Sequence, residues 1–292
     1  MNLAILTLAV ALSLLGGYLF LTTIVHRAYR APRIVETGTP ADMALPYRTV
    51  YIPTENGKQL FAWYIPPEVG AGAAPGVVAL HGWGGNSEFM LPFALWLHRS
   101  GFATLLLDAR NHGSSDRDTF SSLPRFAEDL EHGFDWLAAR SEVNPQRIAL
   151  LGHSVGAGAA LLLASRRHDV TAVVSIAAFA HPEELMRRQM QSHRIPYIPI
   201  GWAVMRYIEQ TIGSHYEAIA PINTIRNISC PVLLIHGFDD LRIPISDAEA
   251  IYAQRPHDRV ELLILSGAGH SSMDQMDSLK DNLIRFLQRT PN

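Results

Sequence analysis

The stretch IALLGHSVGAGAALLLA, residues 148–164, changes character at its centre. Residues 148–151 are a short continuous apolar run, the pattern of a strand buried on both faces. From Gly156 onward, small residues and leucines continue for a helical length. Between the two, Gly152-His153-Ser154-Val155-Gly156 places a serine in a strand-to-helix turn flanked by glycines. Glycine tolerates the tight backbone this requires, so Ser154 is lifted above the sheet edge. The helix that follows offers unpaired N–H groups and the positive end of its dipole. A bare G-x-S-x-G arises often by chance. The strand before and the helix after make this one a turn that presents a nucleophile.

Similar apolar runs recur at residues 77–80, 104–107, 172–176, 232–235 and 262–265. Helical patterns fall at 88–99, 125–140, 156–165, 247–254 and 273–288. This alternation predicts an α/β protein with a mostly parallel, doubly wound sheet. Residues 47–52 and 60–65 flank Asn56-Gly57 and predict an opening antiparallel pair. The interval between residues 176 and 232 is too long for one crossover, so residues 179–226 read as an insertion.

A serine nucleophile needs a base and an acid that orients it. The run at 232–235 leads into His236-Gly237-Phe238-Asp239-Asp240, and the run at 262–265 into Ser266-Gly267-Ala268-Gly269-His270. Both groups fall at carboxyl ends of strands, where open α/β sheets collect their reactive residues. His270 would take the Ser154 proton and return it to the leaving group, held in the correct tautomer by a carboxylate. Asp239 and Asp240 are adjacent, and either suits that role.

Four further motifs accompany the serine turn: His81-Gly82-Trp83-Gly84-Gly85, Asp108-Ala109-Arg110-Asn111-His112-Gly113-Ser114-Ser115, Gly267-Ala268-Gly269-His270, and H-G-x-x-D-x-x-[VI]-P over His236 to Pro244. With them the chain resembles the α/β-hydrolase superfamily, of the serine-dependent, cap-bearing esterase/lipase type, over roughly residues 47–288. The resemblance implies the α/β-hydrolase fold with residues 179–226 as a helical cap, and it puts the acid on Asp240. It also implies an oxyanion hole from the backbone N–H groups of Trp83 and Val155, where each donor can supply about 2.7–4 kcal/mol. Asn111 departs from the glycine usual at its position. The stretch 108–115 reads as loop architecture, so that departure bears on no chemistry. His81 and His236 read as structural, His112 and His153 as rim residues.

In the cap, Met186, Met190, Trp202 and Met205 are expected, with the Trp83 side chain, to bind substrate. Met-rich apolar faces suit a flexible acyl group. The expected function is a serine carboxylester hydrolase that cleaves apolar or amphipathic acyl esters through a covalent acyl-enzyme on Ser154. The alternatives are an acyl-thioesterase or serine peptidase of the same fold, or a catalytically dead, membrane-tethered scaffold. Arg187, Arg188, Arg194, Arg206 and Arg226 face Glu183, Glu184, Glu209 and Glu217 in the cap sequence, with no acidic cluster for a free amino terminus. That disfavours an aminopeptidase. The intact Ser154, Asp240 and His270 set disfavours a scaffold.

Of 292 residues, 24 are Lys or Arg and 27 Asp or Glu, a net charge of −3 that argues against a nucleic-acid partner. The single Cys230 excludes an intramolecular disulfide and a cysteine-rich zinc site. The 13 His show no metal-binding spacing, and no nucleotide-binding loop is present, so neither metal nor cofactor is expected. Residues 3–25 carry no charge and as a helix would extend roughly 34 Å, enough to cross a bilayer. Nothing basic precedes them, and His26-Arg27-Ala28-Tyr29-Arg30 is a poor cleavage site. Residues 1–26 therefore read as an uncleaved single-pass transmembrane anchor, 27–46 as a proline-containing linker, and 47–292 as the hydrolase domain. Arg27, Arg30 and Arg33 after the span place that domain on the cytoplasmic side.

Overall fold

The computed structural model describes residues 3–28, 30–68, 73–271 and 276–289. Its strands are β1 (Arg48–Thr54), β2 (Lys58–Ile65), β3 (Ala74–Leu80), β4 (Ala103–Leu107), β5 (Val143–His153), β6 (Val173–Ile176), β7 (Val232–Gly237) and β8 (Val260–Leu265). They form one sheet in the order β1-β2-β4-β3-β5-β6-β7-β8. The β1–β2 and β2–β4 pairs are antiparallel and the others parallel. The first pair turns at Glu55–Gly57, where Asn56 takes φ 59°.

Period-two alternation sends the strand side chains into two separate cores. Val78, Leu80, Leu105 and Leu107 join one face with α3 (Leu123–Ala138) and α4 (Val155–Ala164). Val77, Ala79 and Leu106 join the other with α2 (Leu91–Arg99) and α10 (Met276–Arg289). From Gly156 to Ala164 every residue of α4 is buried, which explains why that helix is apolar on all sides.

The expected boundaries shift for local reasons. The helix expected at 88–99 opens as a 3-10 turn, Ser87–Met90, and becomes α-helical at Leu91, since Pro92 lacks the N–H to continue the earlier turn. Helix α3 starts earlier than expected because Ser122 caps it, accepting from the Arg125 N–H at 3.4 Å. Of the helix expected at 273–288, residues 273–275 lie outside the described residues.

The insertion is helical: α5 (Pro182–Ser192), a turn at Tyr197–Gly201, α6 (Trp202–Ile212), and the short α7 (Tyr216–Ile219) and α8 (Pro221–Thr224). Arg188 of α5 clasps Asp247 of α9 (Ile245–Ala253) bidentately at 2.9 and 2.6 Å, tying the insertion to the body. Helix α1 (Leu3–Ala28) is long and apolar enough to cross a membrane, with mean hydropathy 2.2. Its carboxyl end meets the body: Val25 is buried, and His26 Nε2 lies 2.8 Å from Tyr207 Oη of α6.

Candidate active site

Strand β5 delivers Ser154 to the sheet's carboxyl edge at φ 55°, ψ −114°. This left-handed backbone is costly for a residue with a side chain and persists where its surroundings enforce it. Glycines on either side make the turn fit. A Cβ on Gly152 would strike the Gly156 carbonyl, and one on Gly156 would strike the carbonyls of Leu80 and His81. The Ser154 N–H donates to Ile176 O at 2.8 Å, pinning the turn to β6.

His270, on the loop after β8, places Nε2 3.2 Å from Ser154 Oγ and Nδ1 2.7 Å from Asp240 Oδ2. Asp240 is buried, while Asp239 is exposed. The other oxygen of Asp240 accepts the N–H groups of Arg242 and Ile243, both at 2.8 Å. Burial alone would raise its pKa, but hydrogen bonds from His270 and from those N–H groups prevail and hold it below the usual carboxylate range. The structure thus joins Ser154, His270 and Asp240 in one hydrogen-bonded line.

The loop after β3 lies against the serine. A Cβ on Gly82 would sit 2.9 Å from Ser154 Cβ, so only glycine allows this approach. Gly85 N–H closes the turn onto Gly82 O at 3.0 Å. The Val155 N–H opens α4, where the first turn has no intrahelical acceptor. Trp83 is 36% exposed, stacked over Phe126 and edge-on to His112.

The four other histidines of the motifs are fixed supports. His81 Nδ1–H donates to Gly82 O at 2.7 Å, its Nε2 accepts the Ala109 N–H at 3.1 Å, and burial lowers its pKa to about 3. His236 Nε2 donates to Ile243 O at 2.8 Å. His112 and His153, expected at the rim, are buried instead. His112 packs under Trp83 and Phe126. His153 Nε2–H donates to His270 O at 2.8 Å, and burial lowers its pKa to about 4, keeping it neutral. This bond fixes the backbone of His270, and a histidine in that turn was its only signal in the sequence.

Of the residues expected to bind substrate, Trp83 lies on the loop against Ser154, whereas the cap methionines are taken up by packing. Met190 and Met205 are buried in the packing of the insertion, and Met186 packs against the same core. Tyr216 Oη lies 3.7 Å from Met205 Sδ. Trp202 is 56% exposed and, with Met205, lines a cleft of about 740 Å³ in which no lining residue among those described is Ser154, Asp240 or His270. Met186, Met190 and Met205 thus serve the packing of the insertion, while Trp202 does not.

The segment expected as a linker is docked. Arg33 donates to Gly113 O and Ser115 O at 2.8 Å each, and Asn86 Nδ2 donates to Ile34 O at 3.1 Å. Glu88 accepts from the Thr37 and Gly38 N–H groups at 2.7 and 3.2 Å. Buried Asp108 accepts from the N–H groups of Ser87 and Ser114, and Glu36 accepts from Ser114 Oγ at 2.7 Å. Burial first, then the neighbouring Glu36 carboxyl, raise the Asp108 pKa well above its ordinary value. Residues 33–38 therefore brace the loops after β3 and β4, the first of which lies against Ser154. Nothing in the local sequence pattern marks such distant contacts.

A family model described as serine aminopeptidase, S33, matches residues 73–220, about half the chain. The chain belongs to this family, within the α/β hydrolases. The uncharacterized protein Rv2307c of Mycobacterium tuberculosis is 29% identical over 246 residues, covering 83% of this chain and 80% of that protein. The lysophosphatidylserine lipase ABHD12 of Xenopus tropicalis is 25% identical over 247 residues, covering 76% of this chain and 62% of the lipase. Among solved structures, the Pyrococcus furiosus esterase Pf2001 superposes with a TM-score of 0.72 at 25% identity, over 90% of this chain and 97% of the esterase. The α/β-hydrolase fold, with its mostly parallel sheet, is the one the sequence motifs imply.

Proposed function

We propose that this α/β hydrolase is a serine carboxylester hydrolase for apolar or amphipathic acyl esters, tethered to a membrane by α1. The observation that carries this reading is the line from Ser154 Oγ through His270 to buried Asp240, at 3.2 and 2.7 Å. Ser154 Oγ attacks the ester carbonyl while His270 Nε2 takes its proton. Asp240 stabilises the imidazolium and remains ionised. The Trp83 and Val155 N–H groups receive the developing oxyanion. His270 then protonates the departing alcohol, leaving an acyl-enzyme on Ser154. Water, activated by His270, releases the acid and restores the serine. The catalytic domain faces the cytoplasm, on the strength of the arginines that follow the apolar span.

A second reading, a serine peptidase, draws on the family's description. Cap residues Glu183, Glu209 and Glu217 do share one cleft. Each is already engaged: Glu183 by Tyr197 Oη at 2.7 Å, Glu209 by Arg206 at 2.6 Å, and Glu217 by Asn223 at 2.7 Å. The described lining of that cleft does not include Ser154, Asp240 or His270, so an ammonium group held there is not placed at the nucleophile, which favours the ester reading. The test is a panel of matched acyl esters, acyl thioesters and aminoacyl anilides on the purified full-length chain. Ester turnover should dominate, rising from acetyl to medium acyl chains. Preferential cleavage of the anilides, or a sharp optimum at acetyl, would overturn the proposal.

A further inference from the structure

The turn between α5 and α6 has a composition unlike the rest of the insertion. Residues 193–208 contain no Asp or Glu, but include Arg194, Arg206, Tyr197, Trp202, Tyr207 and four isoleucines. The isoleucines of the turn point outward: Ile198 is 78% exposed, Ile200 49% and Ile195 40%, with Trp202 beside them at 56%. Isolated exposed apolar residues are ordinary, whereas a contiguous cluster rimmed by basic and aromatic residues marks a contact surface. Trp and Tyr with arginine suit the headgroup zone of a bilayer, and the carboxylates nearest the turn, Glu183 and Glu209, are engaged by Tyr197 and Arg206.

The anchor helix identifies the occupant. Tyr207, about one and a half turns beyond Trp202 on α6, touches α1 at two levels. Its ring lies edge-on to Tyr18 at 6.3 Å and to His26 at 5.9 Å between centroids. Tyr18 precedes Val25 by seven residues, about 10 Å of helix. Where residues 3–25 cross the hydrocarbon, Tyr207 therefore straddles the level at which the anchor leaves it. Trp202 is only about 7.5 Å of helix from Tyr207, so the turn that opens α6 is held close to the leaflet the anchor enters. Phe238 and Leu241, on the loop carrying Asp240, are also exposed at the sheet's carboxyl edge.

We infer that the turn at residues 195–202 is a docking surface for the lipid leaflet adjoining the anchor, with Ile198, Ile200 and Trp202 seated among the acyl chains. This rests on the reading of α1 as a membrane anchor. Docked in this way, the insertion holds the active-site edge at the bilayer, so an ester can pass from the leaflet to Ser154 without dissolving in water. The apolar contact adds to the tether by limiting the orientations the domain samples.

The test uses the full-length chain in vesicles of phosphatidylcholine and phosphatidylglycerol. An environment-sensitive fluorophore is attached to I198C, and separately to Q146C at the opposite, amino end of the sheet, in a C230S background. Lipids carrying a quencher just below the headgroups should quench the label at 198 and not the label at 146. In parallel, I198D/I200D should raise the concentration of vesicle-dispersed ester needed for half-maximal rate by roughly tenfold, with turnover of a short soluble ester unchanged. If the chain floats with the vesicles in high salt while the label at 198 stays unquenched, the docking surface is wrong and the anchor stands. If the chain does not float, the anchor reading fails and the docking surface with it. Equal losses on soluble and dispersed esters would also overturn the inference.

Discussion

Replacing Asp240 by asparagine changes one atom and reverses a proton. In the native arrangement Oδ1 accepts two backbone N–H groups at 2.8 Å, and Oδ2 accepts His270 Nδ1–H at 2.7 Å. Asparagine has one acceptor oxygen. If it keeps the two backbone donors, its NH2 faces His270 Nδ1 and forces the imidazole proton onto Nε2. Ser154 then faces a donor where it needs an acceptor. If the amide flips, two buried N–H groups meet an NH2 instead of an acceptor, at about 1–3 kcal/mol for each group left unpaired. The first orientation costs less and is catalytically incompetent. A triad acid exchanged this way lowers kcat by about 10⁴-fold, about 5.5 kcal/mol of barrier. Exposed Asp239, changed to asparagine, should leave turnover unaffected. The assay is kcat for a chromogenic medium-chain ester with both purified variants, and circular dichroism to verify folding. Asp240→Asn within tenfold of the parent, or a larger loss in Asp239→Asn, would refute the reasoning.

Three more expectations follow from the supports around the site. His153 has a folded pKa of about 4, below its unfolded value near 6.5, so the stability it contributes is present above pH 6.5 and is lost as pH falls toward 4. Between pH 7 and 5 the unfolding free energy of His153→Gln should therefore gain about 2 kcal/mol relative to the parent, measured by urea titration; a pH-independent difference would contradict the neutral, buried histidine. Arg110 is fully buried and bridges Asp129 at 2.7 Å, so Arg110→Met should destabilise the fold by about 3–5 kcal/mol in the same titration. Deleting residues 1–30 should preserve turnover of soluble esters, whereas deleting 1–38 should sharply reduce it, because the second deletion removes the bracing contacts of Arg33, Glu36, Thr37 and Gly38; equal activity in the two would show that the bracing is dispensable.

The sheet was legible because its strands are apolar on both faces, and the two-residue period that fills two cores also produces uninterrupted runs such as residues 148–151. The serine turn was legible for a steric reason: Gly152 and Gly156 meet backbone where any Cβ would collide. Choosing between Asp239 and Asp240 required spacing along a known motif, since both residues are acidic and only the structure shows which is buried. Apolar helix faces look alike in sequence whether they bind ligand or pack internally, and Met190 and Met205 are buried in packing. The bracing segment reads as a linker because the prolines and glycine in residues 32–40 report only backbone conformational preference. Contacts such as Arg33 to Gly113 join residues far apart in the chain and leave no local pattern.

The central claim is that Ser154 carries the acyl group. The most direct measurement is mass spectrometry of the full-length chain after reaction with a fluorophosphonate, which phosphonylates activated serines. The account predicts one adduct, mapped by proteolysis to the peptide containing Ser154, absent in Ser154→Ala and strongly slowed in His270→Ala. An adduct on a different residue, or a Ser154→Ala chain that still hydrolyses esters at the parent rate, would contradict it.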